Sequence, residues 1–268
     1  MLVCTIGDLT LDVLVRLPAP VAVGGDTEAQ IRLKPGGQAA NVAAWASALG
    51  ATARFVGKRG DDASGHLARA GLEARGVEVV GPLGGRSAVV CSLVHPDGER
   101  SMASDRGASA QLREDELDPA WLEGCEHLFV SGYALVHEPS RGAVRRAVEL
   151  AREAGAAVSV DLSSWIAIRD VGVELFRDAV EELAADAVFA NEDEERAFGG
   201  PLPGPTWIVK RGARGCSFGG DERPALPVEE AVDATGAGDA LAAGWIVGGP
   251  QLALEAAARC LSRLGSMP

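Results

Sequence analysis

Several things are missing from this 268-residue chain, and each absence excludes a class of function. No apolar run approaches the ~20 residues that cross a bilayer, so no membrane partner is expected. The opening MLVCTIGDLTLDVLV has no basic stretch ahead of its apolar positions and carries Asp8 and Asp12, which disfavours a signal peptide and predicts a cytoplasmic protein. The five cysteines are odd in number and show no C-x-x-C spacing, so neither a zinc site nor a disulfide framework is expected. Basic charge is scarce, with a formal net charge of -13 and a pI near 4.8. A nucleic-acid surface must supply Lys and Arg to displace counterions, so no nucleic-acid partner is expected. No G-x-x-x-x-G-K-[ST] loop and no G-x-G-x-x-G fingerprint occurs.

The remaining composition is globular, and 268 residues bury a sizeable core without metals or disulfides. Leu2 to Ile6, Thr52 to Val56, His127 to Val130, Ala157 to Asp161, Ala187 to Ala190 and Trp207 to Val209 read as strands. Helical patterns stand between several of them, at 38–49, from about 65 to 75, at about 140–154 and at about 172–185. Strands alternating with helices of this length predict a mostly parallel sheet covered on both faces. Two segments break the rhythm. Thr27 to Leu33 alternates, and Ser87 to Val94, Pro96-Asp97-Gly98 and Glu99 to Ala103 read as a hairpin with a tight turn. Such strands predict a small sheet standing off the main body as a lid, on one domain spanning 1–268 with lid segments at about 13–34 and 87–106.

The most informative stretch is Val232-Asp233-Ala234-Thr235-Gly236-Ala237-Gly238-Asp239, followed by the small apolar run Ala240-Leu241-Ala242-Ala243-Gly244. The glycines fall where a helix begins. Amide N–H groups at a helix start have no internal partner, and the peptide dipoles make that end positive, so an anion fits there. Asp239 beside it, with a reference pKa of about 3.9, is expected to be ionised at neutral pH and able to take a hydroxyl proton during phosphoryl transfer. A plain tight turn with a helix-start aspartate is the competing reading.

A second signature is Pro35-Gly36-Gly37-Gln38-Ala39-Ala40-Asn41-Val42-Ala43. Its glycines let a polyhydroxylated ligand approach the backbone, and the Asn41 amide offers donors and an acceptor to sugar hydroxyls. From the residues alone, a plain loop-to-helix turn with Asn41 satisfying nearby backbone is the stronger reading.

Together the two signatures resemble those of the ribokinase-like (PfkB) carbohydrate kinases. The likeness extends through Val56-Gly57-Lys58-Arg59-Gly60-Asp61-Asp62 and Gly65, and its order and separation span essentially the whole chain. The resemblance implies a doubly wound three-layer α/β/α sandwich with a small β-sheet lid, closing a cleft between sugar and nucleotide. It implies ATP and Mg2+ as cosubstrate and cofactor, and a small sugar or nucleoside as substrate. By matching positions, Asp239 is the base, and the backbone of Gly236, Ala237 and Gly238 is the anion hole. Asp12, Gly36, Gly37 and Asn41 match the substrate-binding positions.

Asn191-Glu192-Asp193-Glu194 resembles the family's N-x-x-E, with Asn191 and Glu194 near the triphosphate and Glu194 holding Mg2+ through water. The acidic first turn of a helix is the alternative. Val209-Lys210-Arg211-Gly212-Ala213-Arg214-Gly215 resembles the nucleotide-binding strand and turn, assigning Lys210, Gly212 and Gly215 to the nucleotide. Thr is commoner at the Lys210 position, and a lysine there brings charge instead. Asp233 and Thr235 match oxygen ligands of relatives activated by K+. Relatives also pair through the lid, which makes a homodimer an expectation of the same kind.

Arg106, just after the lid hairpin, stands where some acid-sugar kinases bind a carboxylate, yet Asp161-Leu162-Ser163-Ser164-Trp165 lacks their Asn-x-Arg. A neutral sugar or nucleoside is therefore placed ahead of an acidic sugar. Aromatic residues make up 4% of the chain, leaving little to clamp a nucleobase. A non-catalytic binding relative would have lost the base or the anion hole, and both persist.

Overall fold

Parallel strands covered on both faces should be apolar almost throughout rather than alternating, and the central strands of this chain are. The computed structural model describes residues 1–96 and 100–268. In chain order its strands are β1 (Leu2–Ile6), β2 (Thr10–Arg16), β3 (Gln30–Gly36), β4 (Thr52–Val56), β5 (Val77–Val80), β6 (Ala88–Val94) and β7 (Arg100–Asp105). They continue with β8 (His127–Ser131), β9 (Ala157–Asp161), β10 (Ala187–Asn191), β11 (Thr206–Lys210), β12 (Cys216–Phe218) and β13 (Asp221–Arg223). The helices are α1 (Gln38–Ala48), α2 (Ala63–Glu73), α3 (Ser140–Glu153), α4 (Trp165–Val171), α5 (Val173–Glu181), α6 (Glu192–Phe198) and α7 (Ala237–Leu261).

The large sheet runs β13-β12-β11-β10-β9-β8-β1-β4-β5, parallel from β11 to β5, with β12 and β13 antiparallel at one edge. The central strands send side chains to two separate cores. Phe55, Phe129 and Phe189 pack with α1, α2 and α7 on one face. Val130, Val160 and Val188 pack with α3, α5 and α6 on the other. The result is three layers, α/β/α. Ala39, Ala40, Ala43 and Ala44 of α1 and Ala240, Ala242 and Ala243 of α7 are all buried in the first core. Side chains this small let the two helices lie close together, and that closeness later brings Asn41 to Asp239.

The small sheet is β3-β2-β6-β7, with β2 parallel to β6 and antiparallel to β3. Its first two strands run slightly beyond the expected 13–34 segment. β2 starts at Thr10 and β3 continues to Gly36, so Asp12 and Gly36 both sit in lid strands, Thr10 facing Gly36 and Asp12 facing Lys34. Of the expected tight turn and the start of the returning strand, Asp97, Gly98 and Glu99 lie outside the described residues. The helix expected at about 172–185 is shorter, ending at Glu181, and a separate short helix, α4, precedes it across Gly172.

Candidate active site

In an open parallel sheet, ligands bind where strands end and chain connections reverse. Gly7 and Asp8 follow β1, Ser131 ends β8, Asp161 ends β9, Asn191 ends β10 and Lys210 ends β11. Polar groups are thus lined up along one edge of the large sheet, with the starts of α1, α6 and α7 above them.

The turn before α7 is built for close approach. Gly236 caps the helix with φ 80, a left-handed conformation that L side chains adopt at a cost. A Cβ there would also come within 2.6 Å of Ser266. No side chain caps this helix. The Ala237 amide is spent on the carbonyl of Ala234 at 3.3 Å. Among the described residues the amides of Gly236, Gly238 and Asp239 have no hydrogen-bond partner. The set of open amides is therefore shifted from the expected 236–238, because Ala237 closes the turn while Asp239 contributes its own N–H.

Asp239 accepts a hydrogen bond from Asn41 Nδ2 at 2.7 Å. It is half-buried. Burial pushes its carboxyl up to about 7, against the Asn41 hydrogen bond, while Asp161 raises it, Lys210 lowers it and Asp8 raises it. This corrects the expectation of a fully ionised group, since its reference value ignores desolvation. A carboxyl balanced near neutrality is suited to accept a proton and release it again.

The paired glycines make room for two aspartates. A Cβ on Gly36 would fall 2.2 Å from the Asp12 carboxylate, and one on Gly37, at φ +99, would fall 2.4 Å from the carbonyl oxygen of Asp8. Asp12 accepts from Thr10 Oγ1 at 2.6 Å, and burial pushes it up to about 6. Asp8 closes the start of α1, accepting from the amides of Gln38 at 3.1 Å and Ala39 at 3.3 Å. Asn41 is buried, its amide shared between Asp239 and the Ser266 hydroxyl, so it orients other protein groups.

Arg106 lies 3.7 Å from Asp8 and stacks over the Tyr133 ring, 3.7 Å from its centroid. Gln38 Oε1 accepts from Ser131 at 2.7 Å and from Ser163 at 2.6 Å, tying α1 to the ends of β8 and β9.

On the other side of Asp239, Lys210 donates to Asp161 at 2.6 Å, and both groups are shielded. Burial opposes its charge, but Asp161 and Glu194 more than offset this and hold the lysine protonated. A Cβ on Gly238 would lie 3.4 Å from Lys210 Nζ, so the cation sits beneath the open turn. Asn191 and Glu194 form a reciprocal capping box, with Glu194 N donating to Asn191 Oδ1 at 2.9 Å and Asn191 N to Glu194 Oε2 at 2.8 Å. The capping role weighed from the residues is thus real. Glu194 is nonetheless buried, which raises its pKa against the pull of Lys210.

Gly212 opens the one-turn helix after β11, and Gly215 returns the chain against Arg223, whose carbonyl oxygen a Cβ would approach to 2.0 Å. Asp233 accepts from the amides of Thr235 at 2.8 Å and Gly265 at 3.0 Å. The Thr235 hydroxyl is buried with no hydrogen-bond partner among the described residues.

Sequence reasoning missed Asp8, Gln38, Ser131, Tyr133, Asp161 and Ser266 as site groups. Only Asp8 carried a readable signal, standing beside Gly7 at the end of the first strand.

The model of the family described as pfkB family carbohydrate kinase matches residues 2–267. The chain belongs to this family. It is therefore a phosphotransferase, and the layered PfkB fold is the one described above. It is 33% identical to an ATP-dependent ribose-1-phosphate kinase of Halopiger xanaduensis, covering 96% of this chain and 90% of that protein. Its fold matches an adenosine kinase of Sinorhizobium meliloti with a TM-score of 0.86 and 24% identity, over 99% and 95% of the two chains. A putative ribokinase II from E. coli, solved in complex with ATP and Mg2+, matches with a TM-score of 0.82 and 25% identity over 99% and 94%. Among the described residues no helix is long and apolar enough to cross a membrane.

Proposed function

We propose that this protein transfers the γ-phosphate of Mg-ATP to a hydroxyl of a small sugar, with Asp239 as the base. The observation that carries the reading is the convergence, in the first turn of α7, of a carboxyl held near neutrality with amides left open by the protein. Asp239 orients the attacking hydroxyl and takes its proton. The amides of Gly236, Gly238 and Asp239, with Lys210 beneath them, face the transferred group as negative charge spreads over its oxygens. Asp12 and Asn41 meet the sugar hydroxyls, Gly36 and Gly37 keep the backbone low around them, and the lid sheet excludes water that would otherwise hydrolyse ATP.

Magnesium, when bound, neutralises phosphate charge; Glu194 is the buried carboxylate suited to hold it through water, beside Asn191. Lys210, Gly212 and Gly215 flank the nucleotide. The ATP and Mg2+ complex of the E. coli relative supports this cosubstrate. The orphaned Thr235 hydroxyl and the Asp233 carboxylate fit a K+ ion, which they would hold against the turn. The exposed Ile31, Leu33 and Met102 on the small sheet support pairing of two copies through the lid.

A panel of sugars, sugar phosphates, sugar acids and nucleosides in a coupled ADP-release assay identifies the acceptor. Asp239→Asn should then lower kcat roughly 10^3-fold while ligand-induced thermal shifts persist. Near-normal turnover in that variant would refute the assignment.

A second reading, a sugar carrying a phosphate or carboxylate, is favoured by Arg106, whose guanidinium is braced by Tyr133 at the cleft and only loosely paired with Asp8. The ribose-1-phosphate kinase relative acts on such a sugar. Arg106→Ala should raise KM for the anionic acceptor roughly tenfold or more and leave KM for a neutral sugar unchanged. Equal effects on both would remove this reading.

A further inference from the structure

Ser266 lies in the tail beyond α7, far in sequence from either signature, yet it contacts both. Its Oγ donates to Asn41 Oδ1 at 3.0 Å in a buried setting. Asn41 in turn donates from Nδ2 to Asp239 Oδ2 at 2.7 Å. A side-chain amide is a carbonyl at one end and an NH2 at the other, and the two ends exchange on rotation. The carboxylate needs the NH2 end and the serine hydroxyl needs the carbonyl end, so both partners select the same orientation. Rotated the other way, Asn41 would set its oxygen against the carboxylate of Asp239.

Ser266 is itself held fast. Its carbonyl oxygen accepts from Trp45 Nε1 at 2.8 Å in the core of α1. Its Cα and Cβ are so close to the turn before α7 that a Cβ at Gly236 would reach them at 2.6 Å. The next residue back, Gly265, donates its amide to Asp233 at the other end of the same turn. Both helices that carry the site therefore rest on this one residue.

We infer that Ser266 is a positioning residue: its hydroxyl fixes the Asn41 amide and, through it, the orientation of the Asp239 carboxylate. The inference rests on Asp239 being the base. The groups facing Asp239 are Asn41 on α1, Asp161 and Lys210 at the ends of β9 and β11, Asp8 after β1 and the Cys260 thiol near the end of α7. Ser266→Ala alters none of these charges and keeps the main-chain bond to Trp45. A change in the behaviour of Asp239 would therefore report on the Asn41 amide alone.

The test measures kcat and KM of the full-length Ser266→Ala protein across pH, alone and combined with Asn41→Ala. The expected result is a roughly fivefold fall in kcat, the scale of one lost hydrogen bond, with KM little changed. The acid limb should move up by about half a unit, and the variant should have no further effect in the Asn41→Ala background. Wild-type kcat and acid limb in Ser266→Ala, or a loss that multiplies with that of Asn41→Ala, would overturn the inference. Titration of the Asp239 carboxyl by carbon-13 NMR reads the same network without turnover. An upward shift in Ser266→Ala supports it, and an unmoved titration refutes it. Should Asp239→Asn retain turnover while Ser266→Ala shifts that titration, the base assignment falls and the positioning network stands.

Discussion

The starts of α1 and α7 lie side by side at the same edge of the sheet, and the protein treats them in opposite ways. The first amides of α1 are consumed: Gln38 and Ala39 donate to the Asp8 carboxylate, Ala40 to the Asp8 carbonyl and Asn41 to the carbonyl of Gly37. α6 is closed as well, by its capping box. α7 has a glycine where a capping side chain would be, and three of its opening amides have no partner among the described residues. A helix start with its own carboxylate has no room for another anion, whereas an open one awaits it. Under the proposed function, this difference is why the start of α7, and not that of α1 or α6, is assigned to the phosphoryl group.

The comparison breaks first at Asp239. A carboxyl pushed up to about 7 remains protonated in the fold where the unfolded chain would already have released its proton. Its contribution to stability is therefore present at low pH and is lost as pH rises through about 7. Each unit of that shift is worth about 1.4 kcal/mol, so ionised Asp239 costs the fold a few kcal/mol at pH 8. Asn cannot ionise and still accepts from Asn41. Asp239→Asn should melt several degrees higher than the wild type at pH 8, with the gap narrowing as pH falls toward 4. The wild-type acid limb of kcat should fall near pH 7. A variant no more stable than wild type at pH 8 would show that the site does not hold this carboxyl under strain.

A smaller effect is expected from closing the open turn sterically. Gly236→Ala places a methyl group against Ser266 on a backbone with positive φ. The turn must shift, and misplaced amides stabilise the transferring group poorly, so kcat should fall roughly 100-fold. Stability should fall by about 1–2 kcal/mol. Substitution by Ala at Gly50, which has positive φ but open space around a Cβ, is the control that should cost stability alone. If Gly236→Ala lowers stability but not turnover, the amides of this turn do not serve the reaction.

Much of this was legible in the sequence because the signals were local. Leu2–Ile6, Thr52–Val56 and Ala157–Asp161 could be read to the residue from apolar runs ending in Gly or Asp. The Gly236 turn declared itself by two glycines ahead of a small apolar helix. β12 and β13 went unread because three residues carry no periodicity. The Lys210–Asp161 pair and the Ser266–Asn41–Asp239 relay were illegible for a different reason. Their members are 49, 225 and 198 residues apart, and only the strand order and the packing of α1 on α7 bring them together. The pKa of Asp239 is illegible on the same ground, since besides burial it depends on Asn41, Asp161, Lys210 and Asp8, which come from four separate parts of the chain.

The smallest expected effect is at the closed helix. Asp8 serves α1 through both carboxylate oxygens, and it also raises the proton affinity of Asp239. Asp8→Asn keeps one acceptor, loses the other and removes a negative charge. Stability should fall by about 1 kcal/mol, as for a weakened cap, seen as a drop of a few degrees in Tm. The acid limb of kcat should move down by a fraction of a unit, because one of the charges opposing ionisation of Asp239 is gone. The two variants therefore move that limb in opposite directions, Ser266→Ala up and Asp8→Asn down, although neither residue touches Asp239. An Asp8→Asn protein whose acid limb rises would mean that the cap holds α1, and Asn41 with it, in place for the base, and that its electrostatic influence across the cleft is the lesser effect.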